Sequence, residues 1–168
     1  TDWFISNICT MEWNLEMDAG KPFRQGIAER IALFPQWEKE IRMYFDEWIK
    51  MIGGAIPGMY ESVKALKDKG YHVYGLSNWS LETFCLVRDD YPVFGLLEGM
   101  VVSGAVGVTK PGAEIFRLIF DKYSIDPSES LFIDDNIANI QGAEKVGLDT
   151  YQFRSVDQFV LFAKENLL

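Results

Sequence analysis

Leu131-Phe132-Ile133-Asp134-Asp135-Asn136 is the stretch on which the fold turns. Three apolar residues, preceded by the turn signal Asp126-Pro127 and ended by acids, read as a short buried strand. Such a strand delivers both carboxylates to a sheet edge. Beyond it, Ile137, Ile140, Ala143 and Val146 mark a helix that Gly147 stops. Residues 150–153 form another strand, and Ser155 caps a last helix. The same rhythm extends upstream. Pro57 suits the first turn of a helix carrying Met59, Val63 and Leu66, which Gly70 ends. A strand over 71–76 follows, then a helix capped by Ser80, a short buried strand Met100-Val101-Val102, and a helix opened by Pro111. Alternation of this kind predicts an α/β fold with a parallel sheet over residues 57–168. Residues 1–56 read as helices only. Trp37, Ile41, Tyr44, Phe45 and Trp48 recur at three- and four-residue steps and are expected to pack among themselves, until Gly53-Gly54 breaks the pattern.

Composition bounds the function. The chain has 168 residues, 48% hydrophobic and 14% aromatic, enough for a core without disulfides or metal staples. A net charge of −9 argues against a nucleic-acid partner and against anionic membrane surfaces. No apolar run approaches the roughly 18–20 residues that span a bilayer. Two cysteines, Cys9 and Cys85, make no framework and no CxxC metal site, so a reducing cytoplasm is the expected location. A single histidine, His72, rules out a multi-histidine zinc site.

In open parallel sheets, ligands bind beyond the carboxyl ends of the strands. Ser77-Asn78 stands after the first strand, ahead of a helix N-terminus that favours an anion; taken alone, the pair also suits a turn and cap. Lys110 stands after the second strand, where its compact charge suits phosphate; alone, it also suits a solvated loop. Asp134-Asp135 follows the third. Adjacent carboxylates at a sheet edge repel unless a cation sits between them, and oxygen-only ligands suit Mg²⁺; either acid, or Asn136, also suits a helix N-cap. Ser77 and Lys110 are 33 positions apart, and Lys110 and Asp134 are 24 apart, about one βα unit each. Three such ends in one sheet describe a phosphate-handling site.

Leu76-Ser77-Asn78, Thr109-Lys110-Pro111 and Phe132-Ile133-Asp134-Asp135-Asn136 resemble, in order, the second, third and fourth motifs of the haloacid dehalogenase-like (HAD) hydrolases. The look is of the sugar-phosphate phosphatase branch, which is similar to the N-terminal domain of soluble epoxide hydrolases. The resemblance implies a Rossmann-like core over 57–168 and a small helical cap over 1–56. It implies a Mg²⁺-dependent phosphatase acting on a small phosphorylated metabolite. Ser77 and Asn78 would hold the phosphoryl group, and Lys110 would neutralise it and orient the nucleophile. Asp134 and Asp135 would hold Mg²⁺, Asp135 the more directly. A metal-independent haloacid dehalogenase on the same fold, which would not need the acid pair, is one alternative. A non-catalytic binding or regulatory protein is the other.

The family's first motif, an aspartate nucleophile after an apolar strand, is not found. Glu16-Met17-Asp18-Ala19-Gly20 is the nearest match, but no apolar strand precedes it; it reads as a polar cap loop, with Glu12, Trp13 and Asn14 toward the cleft. The expectation is a chain truncated ahead of its nucleophile, lacking the sheet's central strand, inactive as written and prone to associate through the open slot. His72 reads as a strand histidine with a structural hydrogen bond, Cys85 as a core residue, and Asn139, one helical turn past Asp135, as a support of the metal site or a plain polar residue of the helix face.

Overall fold

The computed structural model describes residues 2–168. Four helices come first: α1 (Asp2–Asn7), α2 (Met11–Asp18), α3 (Phe23–Leu33) and α4 (Glu38–Asp46). Then follow α5 (Met59–Asp68), β1 (Tyr74–Ser77), α6 (Leu81–Val87), β2 (Gly99–Val102), α7 (Ser103–Val106), α8 (Ala113–Tyr123), β3 (Leu131–Asp134), α9 (Ile137–Glu144), β4 (Asp149–Gln152) and α10 (Val156–Asn166). Side chains set several of these boundaries. Thr10 caps α2 by accepting from the Trp13 amide, Asn136 caps α9 at Ala138, and Ser155 caps α10 at Gln158.

Several boundaries differ from expectation, each for a local reason. Residues 11–18 are helical and not a loop, and Trp13 is buried with its indole N–H on Gly26 O. Strand β1 starts at Tyr74 because the Tyr71 amide still bonds Leu66 O in the closing turn of α5. His72 therefore precedes the strand; its side chain is 74% exposed and lies 2.8 Å from Glu98. Pro57 and Pro111 sit in turns ahead of their helices, which open at Met59 and Ala113.

Apolar residues gather in two clusters. One lies among the N-terminal helices: Ile8, Cys9, Trp13, Met17, Phe23, Ile27 and Ile41, with Trp37, Tyr44 and Phe45 against them as their spacing anticipates. The other joins Val101, Ile115, Phe116, Ile119, Ala143 and Leu148 around the strands. Trp48 is buried and its ring lies 6.0 Å from that of Trp79. No helix among the described residues is long and apolar enough to cross a membrane.

The strands do not form one sheet. β1 pairs in parallel with β2, from Tyr74 opposite Gly99 to Ser77 opposite Val102. β3 pairs in parallel with β4, from Leu131 opposite Asp149 to Asp134 opposite Gln152. Among the described residues no backbone hydrogen bond joins β1 to β3. Between them lies a cavity of about 1070 Å³, lined by Tyr74 and Leu76 on one side, Leu131 to Ile133 on the other, and α5, α8 and α10. Paired strands stand ~4.8 Å apart, so a gap of this volume is a slot and not a loosened ladder. The slot also explains the half-burial of β1 and β3 along their whole length, where inner strands of a parallel sheet are buried on both faces.

Cys85 is exposed, against the expectation of a core residue, because α6 turns Thr83, Phe84 and Val87 inward. Cys9 is the buried thiol, and burial pushes its pKa up to about 11. Native protein treated with iodoacetamide at pH 8 should therefore gain one label, at Cys85, and a second at Cys9 only after denaturation, as read by peptide mass spectrometry.

Candidate active site

The three strand-end motifs converge on Lys110. Its ammonium donates to Leu76 O of β1 at 2.7 Å and to Asp134 Oδ2 of β3 at 2.6 Å. Both side chains of that ion pair are almost wholly buried, 8% and 7% exposed. The amine also lies 5.4 Å from the centre of the Phe132 ring. Lys110 therefore spans the two half-sheets at their carboxyl ends.

The backbone of Lys110 is held as firmly as its amine. Asn78 Nδ2 donates to Lys110 O, and Lys110 N donates to Asn78 Oδ1, each at 2.8 Å. The Asn78 side chain is thereby engaged with the lysine's main chain, because one amide can satisfy both a carbonyl and an N–H. From below, α9 presses on the neighbouring proline: a Cβ at Gly142 would stand 2.6 Å from Pro111 O, so glycine is required for that approach.

Asp134 makes three bonds to protein. Its Oδ1 accepts from the Asn136 amide at 2.9 Å and from Asn139 Nδ2 at 3.0 Å, while Oδ2 takes the lysine. Asn139 thus supports the acid pair. Asp135 is exposed, and its carboxylate has no hydrogen-bond partner among the described residues; only its carbonyl is used, by Gln152. The two acids avoid mutual repulsion by division: one faces Lys110, the other faces outward. Ser77, the last residue of β1, has a hydroxyl with no partner among the described residues. A free hydroxyl, a lysine and an unpaired carboxylate at one sheet edge can take an anion together with a hard cation.

Glu16-Met17-Asp18, the near match to a nucleophile motif, does not sit on a strand. Asp18 ends α2, and its Oδ1 accepts from the Ser80 amide at 2.9 Å. Burial pushes its pKa upward. Ser80 is the N-cap residue of α6, and its hydroxyl makes no capping bond; Asp18 instead holds the amide of Ser80 itself from outside the helix. Sequence reasoning missed Ser103. It is completely buried directly after β2, accepts from the Trp79 amide at 2.9 Å and donates to Asp18 O at 2.5 Å. The signal available was its place, the first polar residue past Val101-Val102 at the same sheet edge.

A family model described as haloacid dehalogenase-like hydrolase matches residues 10–147. The chain belongs to the HAD-like hydrolases. D-ribitol-5-phosphate phosphatase of Bacteroides thetaiotaomicron is 33% identical over 90 residues, spanning 50% of this chain and 44% of that protein. The chain thus aligns with less than half the length of this relative. Among solved structures, a HAD-like family hydrolase from Porphyromonas gingivalis superimposes with a TM-score of 0.77 at 19% identity, over 98% of this chain and 83% of that one. A HAD family enzyme of B. thetaiotaomicron, crystallised with magnesium and inorganic phosphate, gives 0.76 at 22% identity, over 92% and 81%. These likenesses show the HAD-like fold.

Lys110→Met should destabilise the protein by about 3–5 kcal/mol, because it leaves the Asp134 carboxylate buried without its counter-ion. Urea denaturation reads the loss, and adding Asp134→Asn to Lys110→Met should recover part of it. Equal stability of Lys110→Met and wild type would show that the bridge carries no weight.

Proposed function

We propose that this chain belongs to a Mg²⁺-dependent phosphatase for small phosphorylated metabolites, such as a sugar phosphate. The observation that carries the reading is the free Ser77 hydroxyl and the unpaired Asp135 carboxylate flanking the Lys110–Asp134 bridge at the carboxyl ends of β1 and β3. The relative named as a ribitol phosphate phosphatase and the fold neighbour crystallised with magnesium and phosphate support it.

Each residue has a part. Ser77 Oγ donates to a phosphoryl oxygen, and its freedom from other partners leaves it available. Lys110 offers a third N–H besides the two already used, a fixed positive charge toward the transferring group. Asp135 is the free oxygen ligand for Mg²⁺, and Asp134 lies beside it, held by Lys110, Asn136 and Asn139. Two carboxylates and hard oxygen donors fit Mg²⁺, which keeps several of its waters. No cluster of three acidic, cysteine or histidine side chains exists among the described residues, so the set is a partial one. Bound Mg²⁺ would neutralise charge on the phosphoryl oxygens.

The attacking carboxylate is not among the described residues in this reading. It would enter on an extended apolar segment filling the slot between β1 and β3, parallel to both, and its carboxyl end would then lie beside Lys110. Residues 1–56 would act as a cap closing over that edge. The same reading expects the chain, as given, to leave phosphate esters intact.

Isothermal titration with inorganic phosphate tests the site directly. Phosphate should bind more tightly with MgCl₂ present, and Ser77→Ala or Asp135→Asn should weaken it about tenfold, the loss of one charge-assisted contact. Phosphate binding indifferent to Mg²⁺ and to both substitutions would sink the reading. Release of p-nitrophenol from p-nitrophenyl phosphate by the purified chain would refute the missing-nucleophile part alone.

A further inference from the structure

The anion-facing turn after β1 is fastened at three successive residues, and one of the fastenings comes from outside its own layer. Asn78 is clamped to Lys110 through its side chain. The Trp79 amide bonds Ser103 Oγ, and Trp79 O accepts from the Gly104 amide at 3.0 Å. The Ser80 amide bonds Asp18 Oδ1 of α2. Ser103 passes its own hydroxyl proton to Asp18 O, so one residue of the N-terminal helices receives both the Ser80 amide and the Ser103 hydroxyl. The packing leaves no slack: a Cβ at Gly104 would stand 2.4 Å from the Leu81 amide nitrogen and 2.8 Å from Trp79 O.

The connection continues into the helical layer. Asp18 Oδ2 accepts from Asn14 Nδ2 at 3.1 Å, and Asn14 Oδ1 accepts from the Tyr44 hydroxyl at 3.0 Å. Tyr44 belongs to α4 and packs at 5.1 Å from the Trp13 ring. A continuous path of side-chain hydrogen bonds therefore runs from α4 through α2 to the backbone of the turn that carries Ser77 and Asn78. Burying a carboxylate is costly unless it is hydrogen-bonded, and Asp18 meets that cost with bonds to both oxygens.

We propose that Asp18 is a positioning residue: it ties the helical layer to residues 77–80 and orders that turn for its anion. The role rests on the phosphate reading of Ser77 given above. Asp18 itself does not touch the anion. It acts by holding the Ser80 amide, while its backbone carbonyl fixes the serine that holds Trp79.

Hydrogen exchange and phosphate titration, applied to Asp18→Ala and Asp18→Asn, separate the possibilities. In Asp18→Ala the amides of Trp79 and Gly104, neither of which bonds the Asp18 carboxylate, should exchange about tenfold faster, while that of Phe132 in β3 keeps its protection. Phosphate affinity should fall about tenfold with Mg²⁺ present. Asparagine keeps an acceptor for the Ser80 amide, so Asp18→Asn should restore both readouts to within about threefold of wild type. Unchanged exchange at Trp79 and Gly104 in Asp18→Ala overturns the proposal. Faster exchange in β3 as well makes Asp18 a general stabiliser and also overturns it. A wild-type chain that binds no phosphate removes the anion reading of the turn, while the exchange data still decide whether Asp18 orders it.

Discussion

One ammonium group holds the two halves of the α/β layer together at their functional edge. Lys110 reaches a backbone oxygen of β1 and a carboxylate of β3, and among the described residues no ladder of peptide hydrogen bonds duplicates that link. A buried lysine is tolerated only where its charge is matched and its donors are used. Here Asp134 matches it and Leu76 O uses a second donor. Everything around the pair serves to keep it in place: Asn78 on the lysine's backbone, Asn136 and Asn139 on the acid, and Gly142 beneath Pro111. The same pair leaves Ser77 and Asp135 as the groups with capacity to spare. The edge is thereby divided between residues that build it and residues free to meet a ligand.

The slot beside that bridge shapes the rest of the layer. Four short parallel strands, two to a sheet, leave inner edges that water or another segment must satisfy. Helices α5, α8 and α10 already line the cavity with apolar side chains, so the walls match an apolar strand better than solvent. The helical layer, by contrast, has a complete core of its own and meets the sheet edge through hydrogen bonds from Asp18 and Ser103, and through the Trp48–Trp79 contact.

Much of this was legible in the sequence because strand ends in an α/β fold are marked by abrupt changes of residue type. Leu131–Ile133 followed by two acids located β3 and its edge, and the spacing to Lys110 and Ser77 located the other two ends. Residue type alone did not show how Asn78 or Asp134 would be employed. An amide beside a sheet edge can meet a ligand or a neighbouring backbone, and only the approach of Lys110 decides between them. The helix boundaries at Pro57 and Pro111 were misplaced because a proline suits both the first turn of a helix and the turn that precedes it. Cys85 was misjudged because a short apolar run in a helix has an outward side that sequence periodicity resolves poorly over seven residues. Ser103 escaped notice, and Asp18 stood out only as part of a near match to the first motif, because their partners are backbone amides, which carry no residue identity to search for.

The tilted contact of Trp79 with Trp48 has a spectroscopic consequence. Trp79 belongs to the turn that follows Ser77, and Trp48 comes from the helical half of the chain, their ring centres 6.0 Å apart. Indoles at that separation exchange excitation and respond to each other's surroundings. Any rearrangement that draws the helices away from the turn must alter the emission of this pair. The molecule therefore carries, without added label, an optical gauge seated at the junction between its two layers.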